Sequence, residues 1–184
     1  QAFVRANGLD RVVLASPKPR IGIVATGQAV RDVFEAFEAL GVSEAQLQDA
    51  GVSVFKVAMP WPLEPTAIRA FAKGLETVLV VEHKRDLIEH QLKALLYDLP
   101  DAVRPRVIGK RDADGAPLLS ELSSLPIPVI ARAIQALLPA QARTPAADAY
   151  FTRVAKALAA ADTLHNDVIR KAHYCSGCPH NTST

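Results

Sequence analysis

The chain has 184 residues, 49% hydrophobic and 22% charged, with a formal net charge of +2. This is the balance of an ordinary soluble globular protein; the scattered Lys and Arg give no bulk-charge argument for nucleic acid or an anionic membrane. No apolar run approaches the ~20 residues that cross a bilayer, and two cysteines exclude a disulfide scaffold. Residues 1–19 read as a lead-in closed by Ser16-Pro17-Lys18-Pro19, where two prolines favour extended chain. Ile21 to Ala25 is a short apolar run broken by Thr26-Gly27. Residues 28–40 place Val30, Val33, Phe34, Phe37 and Leu40 on one face and Arg31, Asp32, Glu35 and Glu38 on the other. That spacing predicts an amphipathic helix stopped by Gly41. Ser43 to Asp49 is read as a helical turn before Gly51.

The cycle then repeats. Val52 to Val57 reads as a strand, Met59 to Pro65 as a rigid proline turn, and Pro65 suits the first turn of a helix. Ile68, Phe71, Ala72 and Leu75 give that helix its buried side. Thr77 to Val81 is apolar without alternation, the pattern of a strand covered on both faces. A helix is predicted over 86–98, buried through Leu87, Ile88, Gln91, Leu92, Leu95 and Leu96. Arg106 to Ile108 is a fourth, shorter strand, and Asp112 to Gly115 a turn. Helices at 127–138 and 144–162 follow, the second alanine-rich and carrying Tyr150, Phe151, Val154 and Leu158; residues 163–184 lose the apolar rhythm. Alternating strands and helices with short connections predict an α/β domain of three layers around a mostly parallel sheet.

Four places could carry chemistry. Ala25-Thr26-Gly27-Gln28 lies where open parallel sheets bind ligands, but it is neither a Gly-x-Gly-x-x-Gly nor a Walker loop. The plainer expectation is that Gly27 turns the chain and Thr26 caps the helix. Glu82-His83-Lys84-Arg85 sets charges just past an apolar strand, and a carboxylate beside His and Lys can move protons. Such a cluster more commonly caps a helix or pairs at an interface. Met59-Pro60-Trp61-Pro62 holds the single Met and single Trp; its prolines push the indole outward or against a neighbour, the plainer expectation is a packed turn, and a domain interface is the functional reading. His90 and His165 have no partner pattern, and His90 falls on the polar side of its helix.

Cys175-Ser-Gly-Cys178-Pro-His180 is the fourth. Cys-x-x-Cys can bring two thiolates onto one metal. A zinc ribbon needs a second pair, for which His173 and His180 are poor substitutes. A thioredoxin-like dithiol belongs at a helix start near a first strand, not near a terminus. An iron–sulfur cluster would use the pair as two of four ligands. The start at Gln1, and a close at Thr184 only six residues past this motif, lead to the expectation of a piece of a longer protein.

Arg20-Ile-Gly-Ile-Val-Ala-Thr-Gly27, Lys56-Val-Ala-Met-Pro-Trp-Pro-Leu-Glu-Pro65 and Val78-Leu-Val-Val-Glu82 resemble the transketolase-C-terminal-like domain of 2-oxoacid:ferredoxin oxidoreductases. Tyr174-Cys-Ser-Gly-Cys-Pro-His-Asn-Thr-Ser-Thr184 resembles the opening of the thiamine-diphosphate domain in the indolepyruvate branch of that family. The likeness covers about 15–140 and 172–184. It implies a lead-in at 1–19, the α/β domain at 20–140, a helical linker at 141–171 and the start of a thiamine-diphosphate and iron–sulfur domain at 172–184.

By that resemblance the parent enzyme oxidatively decarboxylates an aryl 2-oxoacid to an acyl-CoA, using thiamine diphosphate with Mg2+, coenzyme A and [4Fe–4S] clusters that pass electrons to ferredoxin. Cys175 and Cys178 would be two cluster ligands, and Gly177 and His180 would lie near the thiamine pocket. The α/β domain would hold no catalytic residue and bind none of these cofactors tightly; it would pack against flanking thiamine-binding domains in a cytoplasmic homo-oligomer that binds neither nucleic acid nor membrane. Two alternatives stay open on the sequence. One is a stand-alone flavodoxin-like module holding a nucleotide or phosphate at Thr26-Gly27. The other is an interaction domain stapled by a metal at Cys175 and Cys178.

Overall fold

The computed structural model describes residues 1–163. Its elements are α1 (Ala2–Ala6), β1 (Arg11–Leu14), β2 (Ile21–Thr26), α2 (Gln28–Leu40), α3 (Glu44–Asp49), β3 (Val52–Val57), α4 (Pro65–Ala72), β4 (Thr77–Val81), α5 (Leu87–Leu96), β5 (Arg106–Ile108), α6 (Ile127–Leu137) and α7 (Pro145–Thr163). The sheet order is β1-β3-β2-β4-β5. β3, β2, β4 and β5 run parallel, while β1 pairs antiparallel on β3 at one edge. The α/β sheet expected from the sequence is present. The stretch read as lead-in contributes a helix and this edge strand.

β2 and β4 alternate cleanly between two covered faces. Ile23, Ala25, Leu79 and Val81 join Val52, Val54, Phe37, Leu40, Ile130 and Ile134 on the side of α2 and α6. Val24, Val78 and Val80 join Phe55, Val57, Ile68, Leu92 and Leu96 on the side of α4 and α5. Period-two alternation sends successive strand residues to opposite faces, and both faces here are apolar because helices cover both. Burying each such side chain contributes roughly 1.5–3 kcal/mol, which makes these two layers the main source of stability.

Two helices start as their residues dictate. Ser43 and Gln46 form a reciprocal capping box at the start of α3. Pro65 sits in the first turn of α4, where a missing N–H costs nothing. Two expectations about side chains do not hold. Asp32, assigned to the polar face of α2, is 4% exposed, and Leu87, assigned to the buried face of α5, is 44% exposed. Both lie at the carboxyl end of the sheet, where loops rather than helical periodicity decide burial.

By compactness the chain divides at Phe151. Gln1–Phe151 forms the α/β body, while the remainder of α7 from Thr152 onward belongs to a second unit in which Leu158 is 63% exposed. Among the described residues, no helix is long and apolar enough to cross a membrane.

Candidate functional site

Strand order locates the site. From β2 the chain moves to β3 on one side; from β4 it moves to β5 on the other. The connections therefore diverge between β2 and β4, and their carboxyl ends flank the crevice where open α/β sheets take ligands. A cleft of about 490 Å³ lies there, lined by Thr26, Pro60, Glu82, His83, Lys84, Arg85, Leu87 and Glu121.

The Thr26-Gly27 corner does not work as expected. The Thr26 hydroxyl donates 2.8 Å to the Val57 carbonyl on β3 instead of capping α2. Gly27 is itself the N-cap, at φ 54° and ψ −127°, with no side-chain cap bond. That positive φ is open to glycine and strained for other residues. Thr26 looks back toward β3 because its strand partner there is Val57.

Glu82 does act as a helix cap. Its carboxylate accepts N–H bonds from Ile88 (2.8 Å) and Glu89 (3.0 Å), satisfying the first turn of α5, whose own N-cap Asp86 makes no such bond. Burial pushes its pKa up, against the pull of those two N–H groups and of Lys110. Lys110 follows β5 and is 5% exposed. Its ammonium donates 2.5 Å to the Glu82 carbonyl and 3.5 Å to that of Ser120. Burial lowers its pKa, while Glu82 and Glu89 pull it back up. Glu89 completes the group: one oxygen accepts the Lys110 N–H at 2.8 Å, the other the Lys93 ammonium at 2.6 Å. Gly109 makes room for it, since a Cβ at that position would lie 2.3 Å from Glu89 Oε2.

His83 is the group nearest to a catalytic arrangement. Its Nε2 lies 3.0 Å from Asp32 Oδ2, and a carboxylate orienting an imidazole is the usual setting of a general base. The other nitrogen, however, is taken: Nδ1 accepts the Leu125 backbone N–H at 3.0 Å. This network assigns the proton to Nε2, donating to Asp32. The ring thus ties α2, the exit of β4 and the loop before α6 together, with no nitrogen left to face a substrate.

The Met59–Pro62 turn is clamped from two sides. Asp10 Oδ1 accepts from Ala58 N–H at 2.6 Å, and Gln1 donates 2.8 Å to the Leu63 carbonyl. Gln91 accepts from Leu63 N–H and donates to the Pro60 and Leu87 carbonyls, each at 2.8 Å. Fully buried Glu64 ends the turn and caps α4 through Thr66 and Ala67, with Arg5 at 2.8 Å. Burial opposes its charge, but the N–H groups of Ala67 and Thr66 and the Arg5 guanidinium outweigh that and bring its pKa down to about 2. The Trp61–Pro62 peptide is cis, and Trp61 is 64% exposed, as the outward reading of the prolines expected.

The sequence pointed to Glu82, His83 and the proline turn, and the structure brings them to one end of the sheet. It gave no sign of Asp32, Glu64, Glu89 or Lys110, which look like solvated residues in any linear pattern. Cys175, Gly177, Cys178 and His180 lie outside the described residues. Among the described residues, no group of three or more His, Cys, Asp or Glu is arranged to hold a metal ion.

Comparison with known proteins places this chain in a family. Residues 11–162 match the model of the indolepyruvate oxidoreductase domain. The indolepyruvate oxidoreductase subunit IorA of Thermococcus kodakarensis is 34% identical over 79 residues, which is 43% of this chain and 11% of that protein. IorA of Methanothermobacter marburgensis is 29% identical over 129 residues, 70% of this chain and 19% of that protein. The chain therefore spans between 11% and 19% of the length of these relatives. Among solved structures, a split-gene transketolase (an inactive β4 tetramer) covers 73% of this chain and 42% of its own, at 17% identity and a TM-score of 0.46. A 2-oxoglutarate:ferredoxin oxidoreductase from Magnetococcus marinus covers 74% and 22%, at 17% identity and 0.45. The family model runs from the edge strand to the end of α7, and on that match this chain belongs to the indolepyruvate oxidoreductase domain family.

Proposed function

We propose that this chain is a non-catalytic assembly domain of an indolepyruvate-type 2-oxoacid:ferredoxin oxidoreductase. The parent enzyme would be cytoplasmic and would decarboxylate an aryl 2-oxoacid to an acyl-CoA, with electrons passing to ferredoxin. One observation carries the non-catalytic part. The acid and the imidazole that β4 delivers to the cleft are both engaged in the fold: Glu82 holds the start of α5, with Lys110 on its carbonyl, and both nitrogens of His83 are bonded. A general base needs a free position within hydrogen-bond reach of its substrate; the His83 ring presents none, and both Glu82 oxygens are turned to the start of α5.

Cys175 and Cys178 are assigned as two ligands of a [4Fe–4S] cluster, with Gly177 and His180 beside the thiamine diphosphate and its Mg2+. A thiolate pair fits half of the four-thiolate donor set such a cluster takes; the other half would come from elsewhere in the enzyme. Thiamine diphosphate, when bound, supplies the electron sink for decarboxylation. The α/β domain would pack against the flanking thiamine-binding domains of a homo-oligomer.

Titrating the chain with thiamine diphosphate, coenzyme A and nucleotides tests the reading. No tight binding is expected; tight nucleotide binding lost in Gly27→Val would overturn it in favour of a stand-alone binding module. For the cluster, Cys175→Ser in the intact enzyme, purified without air, is expected to lower iron and sulfide content together. Unchanged iron would remove the assignment.

A further inference from the structure

The proline turn offers more than packing. Trp61 is 64% exposed, although an indole is among the costliest side chains to leave in water. Its backbone is nevertheless held on both flanks, by Asp10, Gln1 and Glu64 on one side and by Gln91 on the other. Gln91 also bonds the Leu87 carbonyl, which brings the half-exposed Leu87 beside Pro60. The result is an apolar knob on a stiff base. Such a knob loses little conformational entropy when it docks, and Trp is the residue most enriched among interface anchors.

Next to it stand two cations. Lys84 and Arg85 are exposed, line the same cleft as Pro60 and Leu87, and make no hydrogen bond or ion pair with any described residue. Lys84 is held at φ 59°, the single positive-φ residue other than glycine among those described. Backbone strain of that kind persists only where surrounding structure enforces it. Two acids share that lining, Glu121 and the buried Glu82, whose carboxylate is taken up by the start of α5.

We propose that Trp61, with Pro60 and Leu87, anchors this domain in an apolar pocket of a neighbouring domain of the same oxidoreductase, and that the pocket's rim carries carboxylates facing Lys84 and Arg85. The inference rests on the assembly reading above. The occupant follows from two facts. The matched relatives carry this region as only 11–19% of their length, so much other chain accompanies it there. The unpaired cations beside the knob call for acidic complements, not a basic or nucleic-acid surface.

Hydroxyl-radical footprinting of the intact enzyme, compared with the 184-residue chain alone, reads Trp61 through its own proteolytic peptide, Trp61 being the only tryptophan in this sequence. Its oxidation should slow by about an order of magnitude in the intact enzyme, as befits a water-excluded anchor. In the intact enzyme, Lys84→Glu with Arg85→Glu should restore much of the lost oxidation. Trp61→Phe should keep the domain resistant to limited proteolysis, and Trp61→Ala should not; both leave the domain's own core untouched. Trp61 oxidised equally in both samples, while other surfaces of the domain are protected, overturns the anchor and leaves the assembly reading standing. No protection anywhere on the domain removes both. Protection that grows with the concentration of the chain alone would assign the knob to a second copy and overturn the proposal.

Discussion

The middle of the sheet and its carboxyl rim are built by opposite rules. In the middle, β2 and β4 place only small and branched apolar side chains on two helix-covered faces. At the rim, Asp32, Glu64, Glu82, Glu89 and Lys110 are all buried, each held by backbone N–H or C=O groups or by an opposite charge. The middle tolerates loss gradually, because a smaller apolar side chain forfeits only part of a distributed contact. The rim does not, because deleting one charge strands another without a partner.

Lys110→Met breaks this contrast most sharply. It strands the Glu82 and Ser120 carbonyls and removes the nearby charge that favours the buried Glu82 carboxylate, while Glu89 keeps its pair with Lys93; we expect a loss of about 2–4 kcal/mol by urea unfolding, since a hydrogen bond to a charged group is worth about 1.5–3 kcal/mol. Adding Glu82→Gln, which removes the buried charge that Lys110 acts on, should recover part of that loss; strict additivity of the two changes would show that the charges are not coupled. Leu79→Ala, in the middle of β4, should cost about 2–4 kcal/mol through cavity formation alone. His83→Asn keeps an acceptor for Leu125 N–H, whereas His83→Gln keeps a donor for Asp32. Each should cost about 1–3 kcal/mol, with faster exchange at the Leu125 amide confined to the Gln variant.

Acid separates the regions further. The Glu64 pKa is about 2, below its ordinary 4.5, so the folded state binds its proton less readily than the unfolded chain. Its contribution is complete above the ordinary carboxylate range and is lost as pH falls from there toward 2. Glu64→Gln should flatten that part of the stability curve while leaving the neutral region lower throughout. Glu82 works the other way, since its raised pKa makes acidification relieve a penalty. The smallest effect belongs to Glu76→Gln. Its pair with Arg20 is 59% exposed on both sides, and the unfolding midpoint should not move measurably.

The same contrast sets what could be read from the sequence. The middle was legible: apolar runs and 3.6-residue spacing gave β2 to β5 and α2, α5, α6 and α7 nearly to their ends, because each residue's burial there depends on its own element; α3 was read only as a helical turn, and α4 stops at Ala72, short of the Leu75 assigned to it. At the rim, burial depends on what another segment lays over it. Asp32 sits among Arg31 and Glu35 as any polar-face residue would, and becomes buried because His83 and the loop at Leu125 close over it. Glu89 faces the core side of α5 because Gly109 and Lys110, twenty residues later, come to meet it. β1 went unseen because four residues, Arg11 to Leu14, with only Val13 and Leu14 turned inward, carry too little alternation to register. The cysteine motif lies past the described residues.

That edge strand has a consequence for handling the domain. β1 is four residues long, its register with β3 slips between Val12 and Leu14, and Ser16-Pro17-Lys18-Pro19 follows at once. A short, bulged border bounded by prolines offers an incoming strand almost no ladder to extend. The domain should therefore resist fibrillar stacking along that side.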